Sequence, residues 1–336
     1  MTVELESTYL GMTLRNPLVV AANPLGRDVE MLKRLEAAGA AAVVLPSLFE
    51  EQIEHEAYEV HNVMEYGAET YAEHASGFLP EMQEYNTGPQ RYLDLVGAAR
   101  EALDVPVIGS LNGASPGGWT EYARMIQDAG ADALELNIYF VAADLDETGA
   151  EVEGRYLRLV QQVRSAISIP LAVKIGPYFS SIGHFARLLV DVGADGLVLF
   201  NRFNQPDIDL ETLDVLPKVR LTDSDSGRLT LRWIAILRGR IEASLAATTG
   251  VHTSDDVLKL LLSGADVTMM ASALLKHGPV RLTTVLDGVR AWLEEHDYAS
   301  VEQMKGSLSQ QYSPDPAAFE RANYMDALVS YSMPRV

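Results

Sequence analysis

Three features of this sequence predict the α/β class and, within it, a (β/α)8 TIM barrel: a phrase that recurs four times, a total of eight apolar strand candidates, and no GxGxxG turn after the first of them. The phrase is an apolar helix-like run, then Gly-Ala, then a short apolar strand-like run. It stands at Gly39-Ala40, Gly130-Ala131, Gly193-Ala194 and Gly264-Ala265. Glycine suits a helix C-terminus because it takes the left-handed conformation without steric cost. The competing architecture is an open doubly wound sheet.

The strand candidates run in order: Leu18–Ala22 after Asn16-Pro17, Ala41–Leu45, Val105–Ser110 after the helical run Tyr92–Leu103, Ala133–Asn137, Leu171–Ile175, Leu197–Asn201, Leu245–Thr248 and Val267–Met270. All read as continuous apolar runs, as strands buried on both faces must. Between them, Tyr156, Leu159, Val160, Val163 and Ile167 share one helical face. Thr253-Ser254-Asp255-Asp256 carries capping residues, and Val257, Leu260 and Leu261 then turn inward. Ahead of the barrel, Leu5–Leu14 alternates around Gly11-Met12 like a hairpin.

With 336 residues, 48% of them hydrophobic, the chain can build one large core. The expected organisation is a single domain over 1–336, with an N-terminal barrel-floor hairpin over 1–17 and a C-terminal helical extension over 292–336, ending in a helix at Ala317–Ser330. Three connections exceed an ordinary loop: Phe49–Gln90, Tyr139–Gly154 and Arg202–Arg228. All follow strands, so they lie on the face where barrels place their chemistry.

The 26 Lys and Arg against 47 Asp and Glu leave a net charge of −21, which argues against nucleic acid and anionic membranes as partners. The absence of cysteine excludes disulfides, thiolate metal sites, iron–sulfur clusters and a cysteine nucleophile. None of the seven histidines forms a metal-like pair with carboxylates, and the expected metal content is none. Met1–Leu10 lacks a signal-peptide pattern, and no run approaches the roughly 20 apolar residues of a membrane span. The expected location is cytoplasmic.

Polar residues mark the strand ends: Asn23, Ser47, Ser110, Asn112, Asn137, Lys174, Asn201, Thr248-Thr249-Gly250 and Ala271-Ser272. Lys174 interrupts an otherwise apolar strand, and a buried ammonium requires an anionic partner. It is a cation for an anionic cofactor edge, a Schiff-base nucleophile, or half of a structural ion pair. Asn137 and Asn201 each offer two donors and an acceptor to an amide-bearing ring. Thr249-Gly250 and Ala271-Ser272 follow strands seven and eight, where this fold binds phosphate, although an ordinary tight turn reads the same way.

Over nearly its whole length the chain resembles the FMN-dependent dihydroorotate dehydrogenases, most closely the dihydroorotate dehydrogenase-like subgroup. The resemblance is carried by Asn16-Pro17, Glu135-Leu136-Asn137, Pro170–Lys174 with Pro177-Tyr178-Phe179, Thr248-Thr249-Gly250-Val251, Ser263-Gly264-Ala265, Ala271–Leu274 and His277-Gly278-Pro279. It implies an FMN oxidoreductase of pyrimidine biosynthesis. Lys174 would hold the N1/O2 edge of the flavin, Asn137 would face flavin and substrate, and Asn201 would bind the substrate ring. Ala21 and Ala22 would lie along the flavin, and Ser47 would join the cofactor site. Ser226-Gly227, Thr249-Gly250 and Ala271-Ser272 would surround ribityl and phosphate.

The departures are specific. The family's proton-accepting Cys or Ser falls on Phe140, its second substrate Asn on Ala142, a lysine after strand two on Pro46, and one phosphate glycine on Thr249. Tyr139 is the remaining candidate base, although a phenol near pKa ~10 is a poor one. The leading expectation is hydride transfer from dihydroorotate, or a related small cyclic amide, to FMN. The alternatives are a Schiff-base lyase or aldolase using Lys174, and a non-catalytic flavin-binding subunit. The expected partners are a small-molecule substrate and either a second copy or a redox subunit.

Overall fold

A computed structural model describes residues 3–49, 89–113, 118–202, 206–216, 220–316 and 320. Eight parallel strands close into a barrel: β3 (Leu18–Val20), β4 (Ala42–Val44), β6 (Val107–Gly113), β7 (Ala133–Ile138), β8 (Leu171–Ile175), β9 (Gly196–Leu199), β12 (Ser244–Ala247) and β13 (Val267–Met270). Pairing of Val43 with Val107 joins β4 to β6, and pairing of Met269 with Val19 joins β13 to β3, so the ring has no open edge. An open sheet is thereby ruled out.

The intervening helices are α1 (Val29–Ala37), α2 (Pro89–Ala102), α3 (Trp119–Asp128), α4 (Gly149–Ala166), α5 (Ile182–Asp191), α6 (Arg228–Leu237), α7 (Ser254–Ser263), α8 (Ser272–His277) and α9 (Val280–Glu295). The recurring glycines end four of them with φ between 100° and 117°, and the next Ala N–H turns back to the helix, as Ala40 does to Leu35 O. The face predicted on α4 is buried through Tyr156, Leu159, Val160 and Val163. Thr253 caps α7 in a reciprocal capping box with Asp256, turning Val257, Leu260 and Leu261 inward.

Alternation along the strands divides the core in two. Leu134, Leu136, Val173, Ile175 and Leu197 pack outward with the helices. Ala133, Ala172, Val198, Ala246, Val267 and Met269 face inward and pack with no helix residue. The hairpin of β1 (Ser7–Tyr9) and β2 (Met12–Leu14) closes the N-terminal end of this interior with Tyr9, Leu10 and Leu14. Each such apolar side chain contributes about 1.5–3 kcal/mol on burial. The seating is close: a Cβ at Gly196 would stand 2.6 Å from Leu10 Cδ2, and Leu10 N–H donates to Ser244 Oγ at 2.9 Å.

Several predicted boundaries move. The second strand stops before Pro46, which has no N–H to donate, and resumes as β5 (Leu48–Phe49) beside Leu111 and Asn112. The third strand begins after Pro106 and runs on to Gly113. The first, sixth and seventh end earlier than predicted, at Val20, Leu199 and Ala247. The Tyr139–Gly154 connection is shortened because α4 already starts at Gly149, capped by Thr148. Arg202–Arg228 holds an unforeseen hairpin, β10 (Asp207–Asp209) with β11 (Asp214–Leu216).

The boundary placed at 292 falls inside α9. Beyond Glu295 the chain returns to the N-terminal segment: Glu4 N–H donates to Ala299 O, and Val301 N–H to Glu4 O. After α10 (Val301–Met304), Lys305, its side chain 3% exposed, pairs with Asp266 at 3.1 Å. Apart from Glu320, the predicted helix at Ala317–Ser330 lies outside the described residues, as does most of Phe49–Gln90. No described helix is long and apolar enough to cross a membrane.

Candidate active site

The C-terminal ends of the strands open into a cavity of about 560 Å³. Its wall includes Ala21 and Ala22 after β3, Lys174 from β8, Asn201 after β9, Thr249 and Gly250 after β12, and Ala271 and Ser272 after β13. Eight sequence-nominated residues thus meet in one space, because a closed barrel brings all its strand ends to one mouth. Arg202, Arg220 and Thr222 join them from the long connection after β9.

Several nominated residues stand outside the wall, Ser226, Ser110 and Asn112 among them. Asn137 is one step behind it, its Oδ1 accepting from Asn201 Nδ2 at 2.7 Å. Ser47 shares a hydrogen bond with Ser110 Oγ at 2.8 Å, inside the β4–β6 side of the barrel. Gly227 backs the Thr249-Gly250 turn: a Cβ at Gly250 would stand 2.2 Å from Gly227 N. Tyr139 is half-buried beyond the end of β7.

Lys174 is 8% exposed and pairs with Glu135 at 3.3 Å. The carboxylate and ammonium face inward because Ala133, Glu135 and Asn137 alternate on β7, and Ala172 and Lys174 on β8. Glu135 is completely buried, and its Oε2 has no partner among the described residues. Sequence reasoning quoted Glu135 but gave it no role, although a carboxylate inside an apolar strand was the available signal. Burial pushes the Tyr9 phenol well up, and the nearby Glu135 and Asp266 carboxylates push it further.

The loop after β7 is pinned away from the wall. The Phe140 ring lies 4.1 Å under the Arg155 guanidinium, which also pairs with Glu147. The Tyr156 hydroxyl bonds the Phe140 backbone, and burial pushes that phenol up to about 12. Tyr156 meets Phe179 edge-on at 5.3 Å, and Phe179 stacks on Phe185 at 4.1 Å. No side chain from Phe140 to Ala143 carries an exchangeable proton.

At the other end of the cavity, Thr249 (φ 72°) and Gly250 (φ 83°) turn sharply, with Thr249 Oγ1 donating to Phe200 O at 3.0 Å. The hydroxyl of Ser272, the first residue of α8, accepts from Thr222 N–H at 3.2 Å. Lys276 donates to Thr222 O at 2.9 Å, and Thr222 Oγ1 shares a hydrogen bond with His252 Nε2 at 3.0 Å. Burial, and then the Lys276 charge, hold the His252 imidazole below its ordinary pKa. Asp256 Oδ2 gathers this end by accepting from His252 N–H, Thr253 N–H and Ser224 Oγ. The cavity therefore sets a tethered ammonium and the Asn201 carboxamide, backed by Asn137, opposite a turn of small residues.

The family model for dihydroorotate dehydrogenase matches residues 4–293. A dihydroorotate dehydrogenase B (NAD(+)) catalytic subunit of Pyrococcus furiosus is 26% identical over 315 residues, covering 91% of this chain and 98% of the relative. The corresponding subunit of Methanothermobacter thermautotrophicus is 24% identical over 313 residues, covering 90% and 97%. The NAD-dependent dihydropyrimidine dehydrogenase subunit PreA of Escherichia coli is 23% identical over 334 residues, covering 94% and 79%. With 290 consecutive positions matched from the barrel-floor hairpin to α9, this chain belongs to the dihydroorotate dehydrogenase family.

Proposed function

We propose that this chain is a cytoplasmic flavin-dependent oxidoreductase that takes FMN across the barrel mouth and acts on dihydroorotate or a related small cyclic amide. One observation carries the reading: a single cavity holds the Lys174 ammonium and the Asn201 carboxamide together with the Thr249-Gly250 and Ala271-Ser272 turns. Its volume of about 560 Å³ is in the range of cofactor sites.

The residues fit the group. Ala21, Ala22 and Ala271 leave room for a flat ring, and Gly250 packs where no Cβ could follow. The amides of the Thr249-Gly250 turn and the start of α8, with Lys276 nearby, suit a phosphate. Bound FMN would supply a two-electron acceptor for hydride. Lys174 would oppose the negative charge gained at the ring edge. Asn201, oriented by Asn137, would orient the amide substrate.

Phe140 and Ala142 cannot remove a proton, so dihydroorotate should be a slow reductant. The name of the Escherichia coli relative favours testing neutral dihydropyrimidines beside it. The relatives named as subunits favour a partner subunit over a second copy as electron acceptor. The Lys174–Glu135 ion pair favours a cation over a Schiff-base nucleophile.

Purified protein supplied with FMN and then freed of unbound flavin by gel filtration should stay yellow and show a flavin band; a colourless preparation sinks the proposal. Anaerobic bleaching by dihydroorotate, dihydrouracil and dihydrothymine then ranks the substrates. Borohydride trapping of a keto compound on Lys174 would support the lyase instead.

A further inference from the structure

We propose that Glu135 is a positioning residue: its carboxylate holds Lys174 and offsets part of the charge that the ammonium presents to a ligand in the cavity. The consequence for flavin rests on the proposed function above. Glu135 lies behind the cavity wall, whereas Lys174, 3.3 Å away, forms part of it. Glu135 therefore reaches a ligand through Lys174. In the strand register Asn137 is level with Lys174 and Glu135 with Ala172, so the carboxylate stands one inward-facing position deeper than the ammonium.

Packing does not account for this carboxylate. Its register neighbours are Ser110 on β6 and Ala172 on β8, and the barrel interior around them is apolar, with Ala133, Val198 and Ala246. Removing an ion from water is costly, and a well-packed apolar pair is often at least as stable as a buried ion pair. Its Oε2, without a partner among the described residues, adds the further cost of a buried acceptor left unsatisfied. Tyr9, the titratable group rising from the floor, stays a neutral phenol and contributes no compensating charge. What the arrangement does provide is an ammonium fixed at the cavity floor, with a counter-charge on its far side.

Glu135→Gln keeps the shape and an acceptor but removes the charge. In the FMN-loaded protein, equilibrated with a reference dye, the reduced-to-oxidised ratio should rise about tenfold over wild type, since the ammonium is no longer offset. A ratio within twofold of wild type, or a fall, overturns the proposal. If E135Q does not fold, Glu135→Asp keeps the charge but withdraws it by one methylene. It should weaken FMN binding about fivefold through the displaced ammonium, and unchanged binding overturns the proposal.

A third measurement needs no flavin. Amine-reactive labelling of Lys174 in the flavin-free protein, read by peptide mass spectrometry, should run about threefold faster in E135Q because the charged tether is gone. Equal labelling rates overturn the proposal. Wild-type protein that takes up no FMN would refute the flavin reading alone, and the labelling result would still decide the role of Glu135.

Discussion

Asn201 donates its side-chain amide to Asn137 Oδ1 at 2.7 Å, bridging the ends of β9 and β7 over β8, the strand that carries Lys174. The bond uses one of the two Asn201 donors and leaves its carbonyl and second N–H for a ligand. Asn201→Ala removes both functions. We expect FMN uptake to be retained and the substrate concentration for half-maximal anaerobic bleaching to rise about tenfold, the value of a hydrogen bond of roughly 1.4 kcal/mol. Asn137→Ala in the same background should be non-additive by about 0.5–3 kcal/mol, as for any directly bonded pair. An unchanged half-saturation value in N201A would remove Asn201 from the substrate site.

Gly250 is the position where backbone geometry and the cavity coincide. Its φ is +83°, and a Cβ would stand 2.2 Å from Gly227 N and 2.6 Å from Gly227 Cα, both backbone atoms that no rotamer change can clear. Gly250→Ala should destabilise the fold by about 2 kcal/mol or more and abolish FMN binding, because the turn must open. Gly149→Ala is the control: its Cβ meets nothing within 4 Å, so stability should stay within about 0.5 kcal/mol. Urea denaturation and FMN fluorescence titration of both variants read the two effects.

The barrel was legible because burial on both faces leaves an unbroken apolar run. Leu171–Ile175 and Val267–Met270 fall where that pattern puts them. Ends were less legible where a missing N–H decides them, as at Pro46 and Pro106. The β10–β11 hairpin was invisible because its strands have three residues each and expose Ile208 and Val215, so no buried face writes a pattern. Lys174 and Asn201 stood out as polar residues within or at the end of apolar strands. Glu135 did so equally, but its partnership with Lys174 depends on the β7–β8 register, which local sequence does not contain.

The end of the cavity formed by Thr222, Thr249 and Ser272 should be sensitive to acid. His252 is buried against Thr222 and Lys276, and its folded pKa lies below the ordinary value near ~6.5. The unfolded chain therefore binds the proton more readily. Stability from His252 is complete above about pH 6.5 and is lost as pH falls through that value toward the folded pKa. Wild-type protein should lose stability in urea between about pH 7 and pH 5, and His252→Gln should flatten that slope. The carboxyls of Asp223 and Glu151, held down by their hydrogen bonds to Ser226 and Thr148, lose their contribution only in the acid range below about pH 5. An identical slope in H252Q would assign the acid sensitivity elsewhere.

The family resemblance puts the proton-accepting position on Phe140, which invites the substitution Phe140→Cys. The structure predicts that this change alone does not restore a fast reaction. The ring lies under Arg155, packs with the outer core and is not part of the cavity wall. The Tyr156 hydroxyl holds the same residue by its backbone. A thiol there would inherit that orientation and remain out of reach of a substrate proton, which needs hydrogen-bond distance. F140C should bleach with dihydroorotate within about twofold of wild type, against the 10²–10⁴-fold that a well-placed base supplies. Releasing the anchor as well, with Arg155→Ala in the F140C background, should raise the rate above that of either single variant. A gain of about tenfold or more in F140C alone would show that the loop turns residue 140 into the cavity during the reaction.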